Sequence, residues 1–198
     1  MSKQALRGDD LTMSDRLEKL LDIAEDSVRL RGYHAVSFRE LADALGIKSS
    51  SVHYYFRQKE DLGLALVKRY EDRFFAAVET ATADATTPTE RIAAFMSVYR
   101  LALNSSSSLC LCGMLGAESA GLPTALAAAV AQFFKRNTAW LEAAMPEDLS
   151  ADARERKARH ALAALQGAMM IAISLGDHAV FENTVQDLQS TLTTQPRQ

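Results

Sequence analysis

Only two cysteines occur in the 198 residues, Cys110 and Cys112, with a single residue between them. A bridge across that spacing would close a strained ring, which excludes a disulfide framework and fits a reducing compartment. The spacing is also poor for zinc, and the four histidines (His34, His53, His160 and His178) are scattered, so neither a metal nor another cofactor is expected. A Gly-rich phosphate loop, H-E-x-x-H, G-x-S-x-G and a paired-carboxylate motif are all missing, which argues against an enzyme. Uninterrupted apolar runs are missing too. The most apolar stretch, residues 158–176, is broken by Arg159, His160 and Gln166, whereas a bilayer span wants about 20 nearly uninterrupted apolar residues. Residues 1–11 carry charges and no apolar core of the kind a signal peptide needs. A soluble, cytoplasmic protein without a membrane partner is the expectation.

Net charge is small as well: 22 Lys and Arg against 25 Asp and Glu give −3. The total hides an asymmetry. Between Ser27 and Lys59 stand Arg29, Arg31, Arg39, Lys48, Arg57 and Lys59 against only Glu40 and Asp43, a local balance of +4 that leaves −7 elsewhere. A basic island on an acidic protein points to a polyanionic partner more strongly than the total argues against one. With 48% apolar residues the chain can bury a core of one or two domains, and it is neither disordered nor collagen-like.

Helical periodicity runs throughout, with no convincing strand and no internal repeat. Leu17, Leu20, Leu21, Ala24 and Val28 fall on one helix face, with Thr12 and Asp15 placed to cap the start and Gly32 to close it in the left-handed αL position. Ser37-x-x-Glu40 is a capping box opening a short helix whose buried stripe is Phe38, Leu41, Ala42 and Leu45. Gly46-Ile47-Lys48 turns the chain into another short helix, Ser49 to Phe56, and a long one follows from Lys59 to about Ala83. Thr87-Pro88-Thr89-Glu90 restarts helix after a polar linker, with a break expected from Asn104 to Ser108. Further helices are expected at Leu111 to Ala120, from Pro123 to about Met145, at Ala151 to Leu175, and from Asp177 to about Leu192. The fold class is all-α, with about nine helices.

Two short helices joined by a three-residue turn and preceded by a third form a helix-turn-helix. On its second helix Val52 and Phe56 share one side with Tyr55 beside them, leaving Ser50, Ser51, His53 and Tyr54 on the rest of the circumference. Small hydroxyls permit close approach to bases, and His53 and Tyr54 can hydrogen-bond phosphates or base edges. Lys59 joins a cation to a helix N-terminus, and both favour a phosphate. The run SFRELADALGIKSSSVHYYFRQKEDL, Ser37 to Leu62, closely resembles the signature of TetR/AcrR transcriptional regulators. The resemblance covers roughly the first third of the chain; beyond it only helix number and rhythm agree. It implies that Ser37 both caps its helix and contacts phosphate. It also implies that Lys48, Ser49, Ser50, Ser51, His53 and Tyr54 form the recognition surface, and that Lys59 meets the DNA backbone. Arg29, Arg39 and Lys48 add to the positive field. The family often has glycine at Ser50, tyrosine at His53 and proline at Arg57.

Three units are therefore expected: a helix-turn-helix domain over 13–60, a connecting helix over 61–84, and an effector-binding and dimerisation domain over 85–198. Residues 161–175 form a helix apolar on nearly all sides, which needs either a central position or a partner. The resemblance implies a homodimer through the last two long helices. Phe95, Met96, Tyr99, Met114, Leu115, Phe133, Trp140, Leu165, Met169 and Met170 are candidates for an effector pocket, and each would serve equally as ordinary core. A small, mostly apolar or uncharged effector is expected, releasing a repressor from a pseudo-palindromic duplex operator. A few members of the family sense electrophiles or oxidants through a cysteine at the start of this helix. That makes Cys110, with Cys112 beside it, an alternative switch: a helix N-terminus lowers a thiol pKa, although buried cysteines are usually small hydrophobes.

Overall fold

The computed structural model describes residues 12–106 and 108–192; the signal-peptide reading of residues 1–11 lies outside them. Among the described residues there are nine α-helices: α1 Met13–Arg31, α2 Phe38–Leu45, α3 Ser49–Tyr55, α4 Lys59–Thr82, α5 Pro88–Ser106, α6 Leu111–Ala117, α7 Thr124–Ala144, α8 Ala151–Leu175 and α9 Ala179–Leu192. A short 3-10 turn, Ser119–Gly121, follows α6.

The caps read from sequence are made. Thr12 and Asp15 close a capping box on α1, Ser37 and Glu40 another on α2, and Asp177 accepts from the Ala179 N–H at 2.9 Å before α9. At α5, Glu90 gathers the N–H groups of Thr86 and Thr87 at 2.8 and 3.0 Å, which hold its carboxyl down at about 2. Gly46 ends α2 in the αL conformation (φ 70, ψ 31). Gly32 differs from expectation: its φ of 86 is positive, but ψ is 163, so the chain leaves α1 extended rather than curled. Two boundaries also shift. Helix α5 continues through the expected break at Asn104, with the Ser105 hydroxyl bonded back to the Ala102 carbonyl at 3.2 Å. Helix α6 stops at Ala117, because the Glu118 N–H turns to Leu115 O in the tighter 3-10 register.

Helices α1 to α3 pack as a head, α5 to α9 as a body, and α4 belongs to both. Its Leu62 and Leu66 are buried with the head, while Tyr70, Phe74 and Phe75 enter an aromatic cluster with Phe95, Tyr99 and Phe133. The expected boundary between head and connecting helix, at residue 60, falls at the second residue of α4. One buried core runs through both parts. Arg69 of α4 bonds Glu18, Asp22 and the buried Glu25 of α1, and Arg73 also reaches Glu25. Gly63 lets α4 come close to its neighbours: a Cβ there would sit 2.8 Å from Leu126 Cδ2 and 3.1 Å from the Tyr33 ring.

Helix α8 is long and apolar enough to cross a membrane by length and composition alone. Here one side of it packs into the core. Ala158, Ala161, Leu162, Leu165, Ala168, Met169 and Ala172 are buried, and the helix packs between α7 and α9.

Candidate nucleic-acid interface

Helix α3 is held by its apolar side. Val52 is fully buried and Phe56 nearly so, Tyr55 is half-buried, and the Tyr55 hydroxyl lies 3.4 Å from the Met13 carbonyl of α1. The rest of its circumference faces outward: Ser50, His53 and Tyr54 are exposed, and Ser49 and Ser51 are half-buried. Tyr54 is 72% exposed, a large ring kept out of the core. His53 packs edge-on against Phe38 at 4.9 Å, which orients its ring from α2. Lys48, at the N-cap of α3, and Arg39, on α2, are exposed.

The Ser37 hydroxyl accepts from the Glu40 N–H at 3.3 Å, while Glu40 receives the Ser37 N–H at 3.2 Å and the Arg31 guanidinium at 3.3 Å. The Arg31 hydrogen bond, supported by those from Ser37, holds the Glu40 carboxyl below the usual carboxylate range. Lys59 stands in the first turn of α4, half-buried, its ammonium 3.1 Å from the His34 carbonyl and 4.5 Å from the centre of the Tyr33 ring. Burial lowers its pKa, against the raising effect of Glu118 and Glu40.

One basic residue sits differently from its reading in the sequence, and a second was not singled out there. Arg29, counted with the positive field, is half-buried and donates to the carbonyls of Leu109 at 2.8 Å and Ser108 at 3.4 Å, tying α1 to the start of α6. Arg16 lies outside the basic island yet lines a surface groove with Met13, Ser50, Ser51, Tyr54 and Tyr55. Only the packing of α1 beside α3 brings it there, and its sole trace in the sequence was a cation in the first turn of α1.

In the body, Phe95, Met96, Tyr99, Leu115, Phe133, Leu165 and Met169 are buried, and Trp140 stacks on Phe95 at 4.8 Å. Met114 is half-buried on α6, whereas Met170 is 50% exposed on the outer side of α8. A polar string threads these helices: the Tyr99 hydroxyl donates to Asn137 Oδ1 at 2.9 Å, and Gln166 lies between Tyr99 and Cys110.

The thiol-switch alternative finds no support in the structure. Cys110 and Cys112 are free but fully buried. Cys110 caps α6, its Sγ 3.0 Å from the Gly113 nitrogen, as a helix N-terminus favours. Burial outweighs that contact and those of Gln166, Tyr70 and Arg29, so its pKa is raised rather than lowered; burial pushes Cys112 up as well. Both thiols are packed in the core.

Comparison with known proteins agrees with this geometry. Residues 20–66 match the family described as bacterial regulatory proteins, tetR family. The transcriptional regulator AcuR of Cereibacter sphaeroides is 35% identical over 130 residues, 62% of this chain and 59% of that protein. The HTH-type transcriptional activator FasR of Mycolicibacterium smegmatis is 30% identical over 93 residues, 47% of this chain and 42% of that one. The matched stretch thus spans less than two thirds of either relative. The crystal structure of a TetR transcriptional regulator from Legionella pneumophila superposes over 92% of this chain and 98% of its own, with a TM-score of 0.83 and 26% identity.

Proposed function

This chain belongs to the TetR/AcrR family of transcriptional regulators, and on that premise we propose that it is a cytoplasmic, homodimeric repressor released from its operator by a small effector. The family and the relatives above are regulators rather than enzymes. The observation that carries the reading is the presentation of α3: anchored by Val52 and Phe56, it turns hydroxyls, His53 and the exposed Tyr54 outward beside Lys48 and Arg16. Ser49, Ser50, Ser51, His53 and Tyr54 read the major groove, while Ser37, Arg39, Lys48 and Lys59 position the head on phosphates.

The outer face of α8 supports the dimer. Ala163, Gly167, Met170, Ile171 and Ser174 lie along one stripe, mostly exposed, with open space around the Gly167 Cα. Met170 and Ile171 are each 50% exposed and Leu175 67%. A second copy covering this face sets the two recognition helices about 34 Å apart, one helical turn of DNA. An effector in the body that prefers a conformer with wrongly spaced heads lowers operator affinity by mass action.

The test is selection of binding sites from random duplexes at moderate salt, followed by transcription from a promoter carrying the recovered site. A pseudo-palindrome that the protein silences is expected. Lys59→Ala is expected to weaken binding to all sequences and to flatten the salt dependence, without altering sequence preference. Failure to retain any duplex would sink the DNA-binding reading, and stimulation of the promoter would replace repression by activation.

A further inference from the structure

A cavity of about 230 Å³ opens between α6, α7 and α8, lined by Leu109, Gly113, Gly116, Phe134, Gln166 and Met170. Two glycines keep it open. Gly113 and Gly116 are three residues apart and so share a face of α6. A Cβ at Gly113 would lie 2.6 Å from Gln166 Oε1 and 3.3 Å from Cys110 Sγ, and one at Gly116 would lie 3.3 Å from the Phe134 ring. Leu109, Phe134 and Met170 give apolar walls.

The single polar side chain among the six is the Gln166 amide, and its contacts are long. Nε2 is 3.5 Å from both the Tyr99 hydroxyl and Cys110 Sγ, and Oε1 is 3.6 Å from the same sulfur. The contact with Tyr99 is long against the about 2.9–3.0 Å of a good N–H···O bond, sulfur is a weak partner, and an amide oxygen has two lone pairs, so this amide can still bond a ligand. The Tyr99 hydroxyl behind it is already committed to Asn137 at 2.9 Å. None of the six lining residues is charged. A carboxylate or ammonium entering here would shed water and meet no opposite charge on the walls. The volume equals about seven or eight waters at ~30 Å³ each, below the ~300–1,000 Å³ of drug-sized sites.

We propose that this cavity binds a small uncharged molecule, its carbonyl or carboxamide head on Gln166 and its short apolar tail between Leu109, Phe134 and Met170. The proposal rests on the reading of the chain as an effector-released regulator and gives the effector a place and a chemical class. It differs from the pocket expected from the sequence, since of the ten candidate residues only Met170 lines it and Tyr99 stands behind it. The position also reaches the head. The Leu109 carbonyl, before α6, is bonded to Arg29 of α1 at 2.8 Å, and Glu118, after α6, accepts the Tyr33 N–H at 2.7 Å. A ligand pressing on α6 therefore bears on a helix tied at both ends to the head.

The test titrates pentanamide, pentanoate and pentylammonium into the full-length protein carrying ¹³C-methyl methionine, with the Met170 signal assigned by Met170→Leu. Pentanamide is expected to shift the Met170 methyl saturably, with each ion binding at least tenfold more weakly. Gly113→Ala, which fills the cavity, and Gln166→Leu, which removes the polar head, are each expected to weaken pentanamide at least tenfold. Thermal melts establish that at least one of the two variants is folded. Equal binding of the three probes, undiminished binding by a folded variant, or no saturable shift with pentanamide overturns the proposal. Duplex binding by the same preparations separates it from the regulator reading. Protein that binds duplex but ignores pentanamide overturns the cavity alone. Protein that takes up pentanamide yet retains no duplex supports the cavity and overturns the regulator.

Discussion

Replacing Arg29 and Lys48 by alanine, one at a time, separates two uses of positive charge that look alike in the sequence. The Arg29 guanidinium makes one short hydrogen bond to the Leu109 carbonyl at 2.8 Å and a weaker one to Ser108 at 3.4 Å. A hydrogen bond to a charged group contributes about 1.5–3 kcal/mol, so Arg29→Ala is expected to cost about 2 kcal/mol. For a chain of this length each kcal/mol lowers the melting midpoint by about 2–4 °C, so a fall of about 4–8 °C is expected. Lys48 is exposed at the N-cap of α3 with no side-chain cap bond, so Lys48→Ala should leave the midpoint within about 1 °C. On DNA the order reverses. Removing a cation from one phosphate flattens the slope of log affinity against log salt by about 0.9, or about 1.8 for a dimer in which both copies are changed. Lys48→Ala should show that change and Arg29→Ala should show almost none. Scanning calorimetry and fluorescence anisotropy over a salt series provide both readings. An Arg29→Ala protein with an unchanged melting point and a flattened salt slope would refute the assignment of that side chain to the joint between head and body.

Gly46→Ala meets no neighbour within 4 Å, so its cost is backbone strain alone; with φ at +70, about 1–2 kcal/mol is expected in denaturant unfolding. Glu90 predicts an acid dependence. Its folded pKa of about 2 lies below the ordinary carboxylate value, so its stabilisation is complete above about pH 4.5 and is lost as pH falls toward 2. Unfolding measured across that window should show a smaller loss in Glu90→Gln than in the parent, and identical profiles would remove the cap from the account. Iodoacetamide should leave Cys110 and Cys112 unmodified in the native protein and label both once it is unfolded; native labelling at the rate of an exposed thiol would contradict their burial.

Local rules made much of the molecule legible from its sequence. Caps are short-range chemistry, so Thr12, Ser37 and Thr87 marked the starts of α1, α2 and α5, and apolar spacing assigned Val52 and Phe56 to the inner side of α3. Helix ends set by competition were harder. Helix α5 runs past Asn104 to Ser106, and α6 ends where the Glu118 N–H turns to the Leu115 carbonyl, neither of which a local pattern marked.

Charge shows the division most clearly. The sequence by itself established that cations gather around a helix-turn-helix, because their number and order are chain properties. Only the tertiary structure decided what each cation does. It spent Arg29 on the carbonyls before α6, set Lys59 against His34 and Tyr33, and brought Arg16 from another helix to the groove beside α3. The cysteines divide in the same way. The helix start that lowers a thiol pKa was visible in the sequence, but the burial that raises it was not. Desolvation and long-range hydrogen bonds depend on neighbours distant in the chain, which no local pattern encodes.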